Sequence, residues 1–173
     1  MDFIELAEKR YSVRQFKSDP IEPEKLELIV KSALLAPTAC NYQPQRILLI
    51  QSVEAMEKLR KLTPCHYGAT AAALLCYDSE ACFKRQDGAH SGEIDASIVG
   101  THMILEAADL GVGSCWVMFF EPDKMREAFH IPEKYVPVSL LVFGYADDSA
   151  VPNPFHTACL PEDKLIFRDD FAG

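Results

Sequence analysis

Apolar positions recur along this chain on two different periods, and the alternation between them outlines the fold. In residues 24–36, "EKLELIVKSALLA", Leu26, Ile29, Val30, Ala33 and Leu34 share one face at helical spacing. Pro23 suits the first turn of that helix, and Pro37 ends it. Residues 2–10, "DFIELAEKR", predict a shorter helix capped by Asp2, with Phe3, Leu6 and Ala7 on one side. "SVEAMEKLRKL", 52–62, predicts a third that opens on Ser52 in the manner of a capping box with a following glutamate. From Glu93 to Leu110 the chain is apolar on several sides, through Ile98, Met103, Ile104 and Ala108. That predicts a long central helix with Gly111 as its C-cap. "EPDKMREAFH", 121–130, is a last amphipathic helix.

Between the helices lie runs of strand character. "RILLIQ", 46–51, is continuously apolar and predicts a buried strand. "TAAALLCYD", 70–78, predicts another, although alanine is a poor strand former. "SCWVMFF", 114–120, and "YVPVSLLVFGYA", 135–146, complete the set. Residues 79–92 mix polarities and predict an irregular segment, and the proline-rich stretch from Asp147 predicts an irregular tail. Neither a repeat nor a linker interrupts the 173 residues. The expectation is one α+β domain over 1–173, with helices surrounding a central, mostly antiparallel β-sheet.

A net charge of −9 speaks against general affinity for nucleic acid, which needs many cations on one surface. No apolar run suffices to cross a bilayer, and the opening residues lack the basic-then-apolar order of a secretion signal, so a cytoplasmic location is expected. Six cysteines, Cys40, Cys65, Cys76, Cys82, Cys115 and Cys159, include no CxxC pair. They read as reduced thiols, several packed as small hydrophobes, and no metal site is expected.

Three stretches carry candidate chemistry. In "EKRYSVRQF", Arg10, Ser12 and Arg14 stand two apart, so an extended backbone would project all three to one side. Two guanidinium groups and a hydroxyl suit a phosphate; a solvated loop is the plainer alternative. "APTACNYQPQ", 36–45, offers Thr38 and two amides, Asn41 and Gln43, which could meet a heterocycle edge or satisfy their own backbone. "ADLGVGSCWVMFF", 108–120, joins a glycine C-cap to an aromatic strand, and alone could be architecture.

Together and in this order, R-x-S-x-R-x-F, A-P-T-x-x-N-x-Q-P and L-G-x-G-S-C-W resemble the FMN-dependent nitroreductase family, over nearly the whole chain through "LLVFGYA". The resemblance implies a homodimer with one FMN in each of two interface clefts. Carried over by motif, Arg10, Ser12 and Arg14 hold the phosphate and part of the ring edge, with Tyr11 contributing backbone. Pro37, Thr38, Ala39, Asn41 and Gln43 reach the flavin from the other subunit. Trp116, Val117, Met118 and Phe119 run beside the ring, where family members commonly place a backbone N–H against flavin N5. The implied activity is hydride transfer from NADH or NADPH through N5 to a small nitroaromatic, quinone or other conjugated electrophile, with no dedicated catalytic side chain. An FMN carrier or single-substrate protein is one alternative, and a thiol or metal sensor a more distant one. The chain departs from the family in placing Met118 and Phe119 where glycines are frequent. It also carries Cys159 where a late basic residue is common; Lys164 or Arg168 could stand in. With the long extra helices of larger relatives missing, cover for the site must come from 79–92 or from the tail.

Overall fold

The computed structural model describes residues 2–171. In chain order the elements are α1 (Phe3–Lys9), α2 (Pro23–Leu35), β1 (Gln45–Ile50), α3 (Val53–Arg60), β2 (Ala71–Asp78), α4 (Gly92–Asp109), β3 (Gly113–Val117), α5 (Pro122–Phe129) and β4 (Tyr135–Gly144). The four strands form one sheet in the order β1-β2-β4-β3, every neighbour antiparallel.

The two central strands are buried on both faces, which explains how β2 forms in spite of its alanines. Ala71, Ala73 and Leu75 point to one core with Ile29, Ala33, Val99, Met103 and Phe143. Ala72, Leu74 and Cys76 point to the other with Met56, Leu59, Met125 and Val142. Alternation thus serves two cores rather than one core and solvent. Small side chains are needed because α4 lies very close to the sheet. A Cβ placed on Gly100 would come within 2.6 Å of the Leu75 side chain and 2.7 Å of Trp116. The central role expected for this helix is borne out. Asp95, Val99, Met103 and Ala107 form a fully buried stripe at i, i+4 spacing. Its end is closed by Gly111 at φ +73°, with Val112 N–H donating to Ala107 C=O and Gly111 N–H to Ala108 C=O.

Asp2 caps α1 as expected, accepting from Glu5 N–H at 2.9 Å. Ser52 caps α3, accepting from Ala55 N–H at 3.1 Å. The capping box is incomplete, however: the residue three beyond Ser52 is Ala55, so no carboxylate reaches back. Other expectations are corrected. β1 is an edge strand, half-buried except at Ile50, because only β2 pairs with it. Leu34 and Leu35 are exposed, as are Phe3 and Ile4 on α1, so the apolar faces of these helices are wider than this chain alone covers. β3 stops at Val117, leaving Met118 and Phe119 outside the sheet at 71% and 70% exposure. Residues 79–91 form no helix or strand, as expected, and are held by a bridge pairing Lys84 with His90 and by Ser91 N–H donating to Phe83 C=O.

Candidate functional site

Arg10 ends α1 and turns the chain into an extended path. The next residues run beside β3, with Ser12 bridging Ser114 in parallel and Val13 N–H donating to Ser114 C=O at 2.9 Å. β3 accepts so close a neighbour because residue 113 is glycine; a Cβ there would sit 2.8 Å from Val13. The expected alternation holds. Val13 is buried, while Ser12 and Arg14 face outwards. Arg10, Tyr11, Ser12 and Arg14 line one cavity of about 320 Å³ together with Asn153, Phe155 and His156. Arg14 bends back, its Nη1 donating to Ser12 C=O at 3.4 Å.

This cavity is electropositive in a chain of net charge −9. Among the described residues no acidic side chain lines it, and neither Arg10 nor Arg14 joins an ion pair. Beneath it the Cys115 thiol is pushed up by burial, against the opposing pull of Arg14. The Tyr67 phenol is raised by its hydrogen bond with Cys65 and by burial, again against Arg14. Both groups therefore stay neutral near pH 7 and leave the guanidinium charges unspent. As a donor set, two guanidinium groups beside a hydroxyl are chemically suited to a phosphate and fit the phosphate end of a flavin nucleotide.

The tail supplies one wall of this cavity, with His156 Nε2 3.0 Å from Glu8 O and its ring 6.2 Å from Tyr11. Neither Lys164 nor Arg168 lines it, and Arg168 is paired with Glu162 at 3.2 Å. His156 thus occupies the tail's place at the basic cluster.

The second stretch lies elsewhere. After α2 ends at Leu35, Thr38 is extended, and Ala39–Asn41 form a short 3-10 turn. Cys40, Asn41 and Gln43 all adopt left-handed backbone, with φ of 51°, 56° and 50°. Such a conformation is uncommon without glycine, so surrounding bonds must hold it. Gln43 N–H donates to Thr38 Oγ1 at 3.1 Å, Arg46 Nη1 donates to Gln43 C=O at 3.1 Å, and Ala39 N–H donates to Asp95 Oδ1 at 2.9 Å. Pro37, Cys40, Asn41, Tyr42 and Gln43 are exposed. Phe83, in the 79–91 turn, meets Tyr42 edge-on at 6.3 Å between ring centroids.

The loop leans on Asp95 at the start of α4, whereas the cavity beside the basic segment is lined by Ala108 and Gly111 at the helix's end. Ala108 lies thirteen positions beyond Asp95 along the helix, a distance of about 20 Å at 1.5 Å per residue. One chain therefore does not bring Arg10, Ser12 and Arg14 together with Thr38, Asn41 and Gln43. In the third stretch, Trp116 packs into the core and Val117 is buried. Beyond them the backbone is fixed where Thr63 Oγ1 donates to Phe119 C=O at 2.6 Å, leaving the Met118 and Phe119 side chains in solvent.

Asp95, Arg46 and Asn153 were not among the residues that sequence reasoning singled out. Asp95 carries a readable signal, a carboxylate on the same i+4 stripe as Val99, Met103 and Ala107. Arg46 and Asn153 carry none, since their roles depend on tertiary placement.

Comparison with known proteins places these features in context. The model of the Nitroreductase family matches residues 7–75 and 66–145. A solved nitroreductase family protein from Clostridium difficile 630 is 38% identical, with a TM-score of 0.91 over 98% of this chain and 99% of that one. An FMN-dependent nitroreductase from Clostridium difficile R20291 is 27% identical, with a TM-score of 0.78 over 98% of this chain and all of that one (100%). A protein of Archaeoglobus fulgidus, whose name pairs NADH dehydrogenase with NAD(P)H nitroreductase, is 30% identical over 80% of this chain and 82% of its own length.

Proposed function

This chain belongs to the nitroreductase family, and we propose that it is an FMN-dependent NAD(P)H oxidoreductase that works as a homodimer, each flavin lying between the two subunits. One observation carries the reading: an arginine pair with no acidic residue beside it and an amide-bearing loop stand at opposite ends of α4, and this separation supports reading each as half of a cofactor site. A second copy, related by a two-fold axis, would set the loop of one chain over the basic segment of the other.

Exposed apolar residues support the second copy. Phe3, Ile4, Leu34, Leu35 and Ile94 are each more than 60% exposed, on α1, α2 and α4. Along the tail, Val151, Phe155, Leu160 and Phe171 are similarly bare. So much uncovered apolar surface marks a contact face.

Bound FMN would supply hydride chemistry at its N5 position, taking from NADH or NADPH and giving to the acceptor. The chain's part is to bind, orient and exclude water. Arg10 and Arg14 hold negative charge, and Ser12 adds a neutral donor. Pro37, Thr38, Ala39, Asn41 and Gln43 present amide and backbone groups to the partner's flavin. Trp116 and Val117 anchor the strand beside the ring, and Met118 and Phe119 form an apolar wall suited to a small, flat, conjugated acceptor such as a nitroaromatic or quinone. The name of the R20291 relative supports FMN, and that of the A. fulgidus relative supports the nicotinamide donor.

The test is a visible spectrum of the purified protein, recorded before and after anaerobic NADH or NADPH, with light scattering on the same sample. A yellow dimer with one FMN per chain, bleached by either donor, is the expected result. Protein that neither carries flavin nor takes up added FMN would sink the reading, and a monomer holding stoichiometric FMN would sink the shared cleft.

A further inference from the structure

We propose that Asp95 is a positioning residue: from inside the fold it fixes the backbone of the 37–43 loop that each chain lends to its partner's flavin, without touching that flavin. The proposal rests on the FMN-dimer reading above and assigns a task to a buried charge that reading leaves unused.

Asp95 is 1% exposed, and among the described residues it joins no ion pair. A carboxylate so placed persists only if hydrogen-bond donors replace its water. Two do: Ala39 N–H to Oδ1 at 2.9 Å and Ser91 Oγ to Oδ2 at 2.6 Å. The positive end of α4 adds to them.

Both donors belong to segments that flank the proposed site. Ala39 opens the turn whose next residues, Cys40 and Asn41, are left-handed. The far half of this loop is held from β1 and β2, by Arg46 on Gln43 C=O and by Asp78 N–H on Pro44 C=O at 2.8 Å. Its near half has one tie beyond the loop: among the described residues, and apart from the Thr38–Gln43 bond within the loop itself, the Ala39–Asp95 bond is the only hydrogen bond between residues 37–42 and the rest of the fold. Ser91, the second donor, also accepts from Phe83 N–H at 3.2 Å. One carboxylate therefore fastens both the loop and the 79–91 turn, whose Phe83 meets Tyr42.

Asp95→Ala leaves Ala39 N–H and Ser91 Oγ without their acceptor. Asp95→Asn keeps an oxygen for Ala39 N–H and offers an NH2 group to Ser91 Oγ. FMN titration should show Asp95→Ala weaker by roughly 10- to 100-fold and Asp95→Asn within about threefold of wild type. Amide exchange on the flavin-free proteins gives a reading independent of cofactor, in which protection at Ala39 falls in Asp95→Ala and persists in Asp95→Asn. Mixing unfolded and refolded Asp95→Ala chains with Arg10→Ala/Arg14→Ala chains supplies the third arm. In a mixed dimer both lesions fall on one site, and the other site is wild type. Tight binding of one FMN per mixed dimer is expected, although neither parent binds tightly.

Wild-type affinity in a folded Asp95→Ala protein would overturn the proposal. So would unchanged exchange at Ala39. Wild-type protein that binds no FMN would instead overturn the functional reading, and the exchange result would still decide whether Asp95 holds the loop. Should Asp95→Ala fail to fold, Ala39→Pro deletes the same hydrogen bond from the loop side; wild-type FMN affinity in that variant would equally refute the role of Asp95.

Discussion

The Arg10–Arg14 segment and the Pro37–Gln43 loop lie at opposite ends of α4 and present their chemistry in opposite ways. The segment works through side-chain charge on an ordinary extended backbone, pinned to β3 by Val13 and Ser114. The loop carries no charged side chain and works through shape, with three left-handed residues held by Thr38, Arg46 and Asp95. In the proposed site, the first is disabled by deleting groups that meet the ligand, and the second by loosening groups that never meet it.

The largest expected effect comes from removing the charge. Arg10→Ala/Arg14→Ala deletes two donors of the charged class, each worth about 1.5–3 kcal/mol, so FMN affinity should fall by several kcal/mol. The flavin-free protein should melt within about 0.5 kcal/mol of wild type, because among the described residues neither guanidinium joins an ion pair. Calorimetric titration and a melting curve check both halves. A double variant that keeps its flavin would remove the phosphate assignment.

A second perturbation falls between the two ends. Gly100→Ala drives a methyl group into Leu75 and Trp116, and overpacking of this kind costs about 1–3 kcal/mol. The melting temperature should drop, while FMN affinity of the folded protein at low temperature should change far less than in the arginine double variant, since the added methyl meets neither the Arg10–Arg14 segment nor the 37–43 loop. A large loss of affinity without a loss of stability would mean that the helix transmits strain to the ends, and that they are not independent.

The same division explains what the chain revealed before its fold was known. The basic segment was legible because period-two alternation in an extended stretch is a local property, and Val13 inside with Ser12 and Arg14 outside follows it. The long helix was legible for the same reason, from its apolar faces and glycine cap. The loop was legible only as a set of amides. Its left-handed backbone depends on Asp95, 56 positions away, and on Arg46, whose guanidinium also reaches Asp78. The failures share this origin. Leu34 and Phe3 fit an apolar face, yet whether such a face is covered depends on what packs there. β3 ends early because Thr63 captures Phe119 C=O from outside the sheet. His156 carries no local signal of its place, which is set only where the tail folds back across Glu8 and Tyr11.

The smallest effect tests whether shape alone accounts for the loop. Thr38 Oγ1 accepts from Gln43 N–H across the turn, in a half-exposed position. Thr38→Val keeps the side-chain volume and removes that acceptor. Water can reach the orphaned N–H, so the loss should be near the usual net value of one hydrogen bond, about 0.5–1.5 kcal/mol, or at most about a tenfold weakening of FMN binding. Thr38→Ser restores the hydroxyl without the methyl group. If the loop acts through its backbone, Thr38→Ser should recover most of the affinity, and amide exchange at Gln43 should follow affinity across the three proteins. If Thr38→Val instead weakens FMN as strongly as the arginine double variant does, with exchange at Gln43 unchanged, then the hydroxyl meets the flavin directly. The loop would then act through side-chain contact, as the basic segment does, and the contrast between the two ends of α4 would fail.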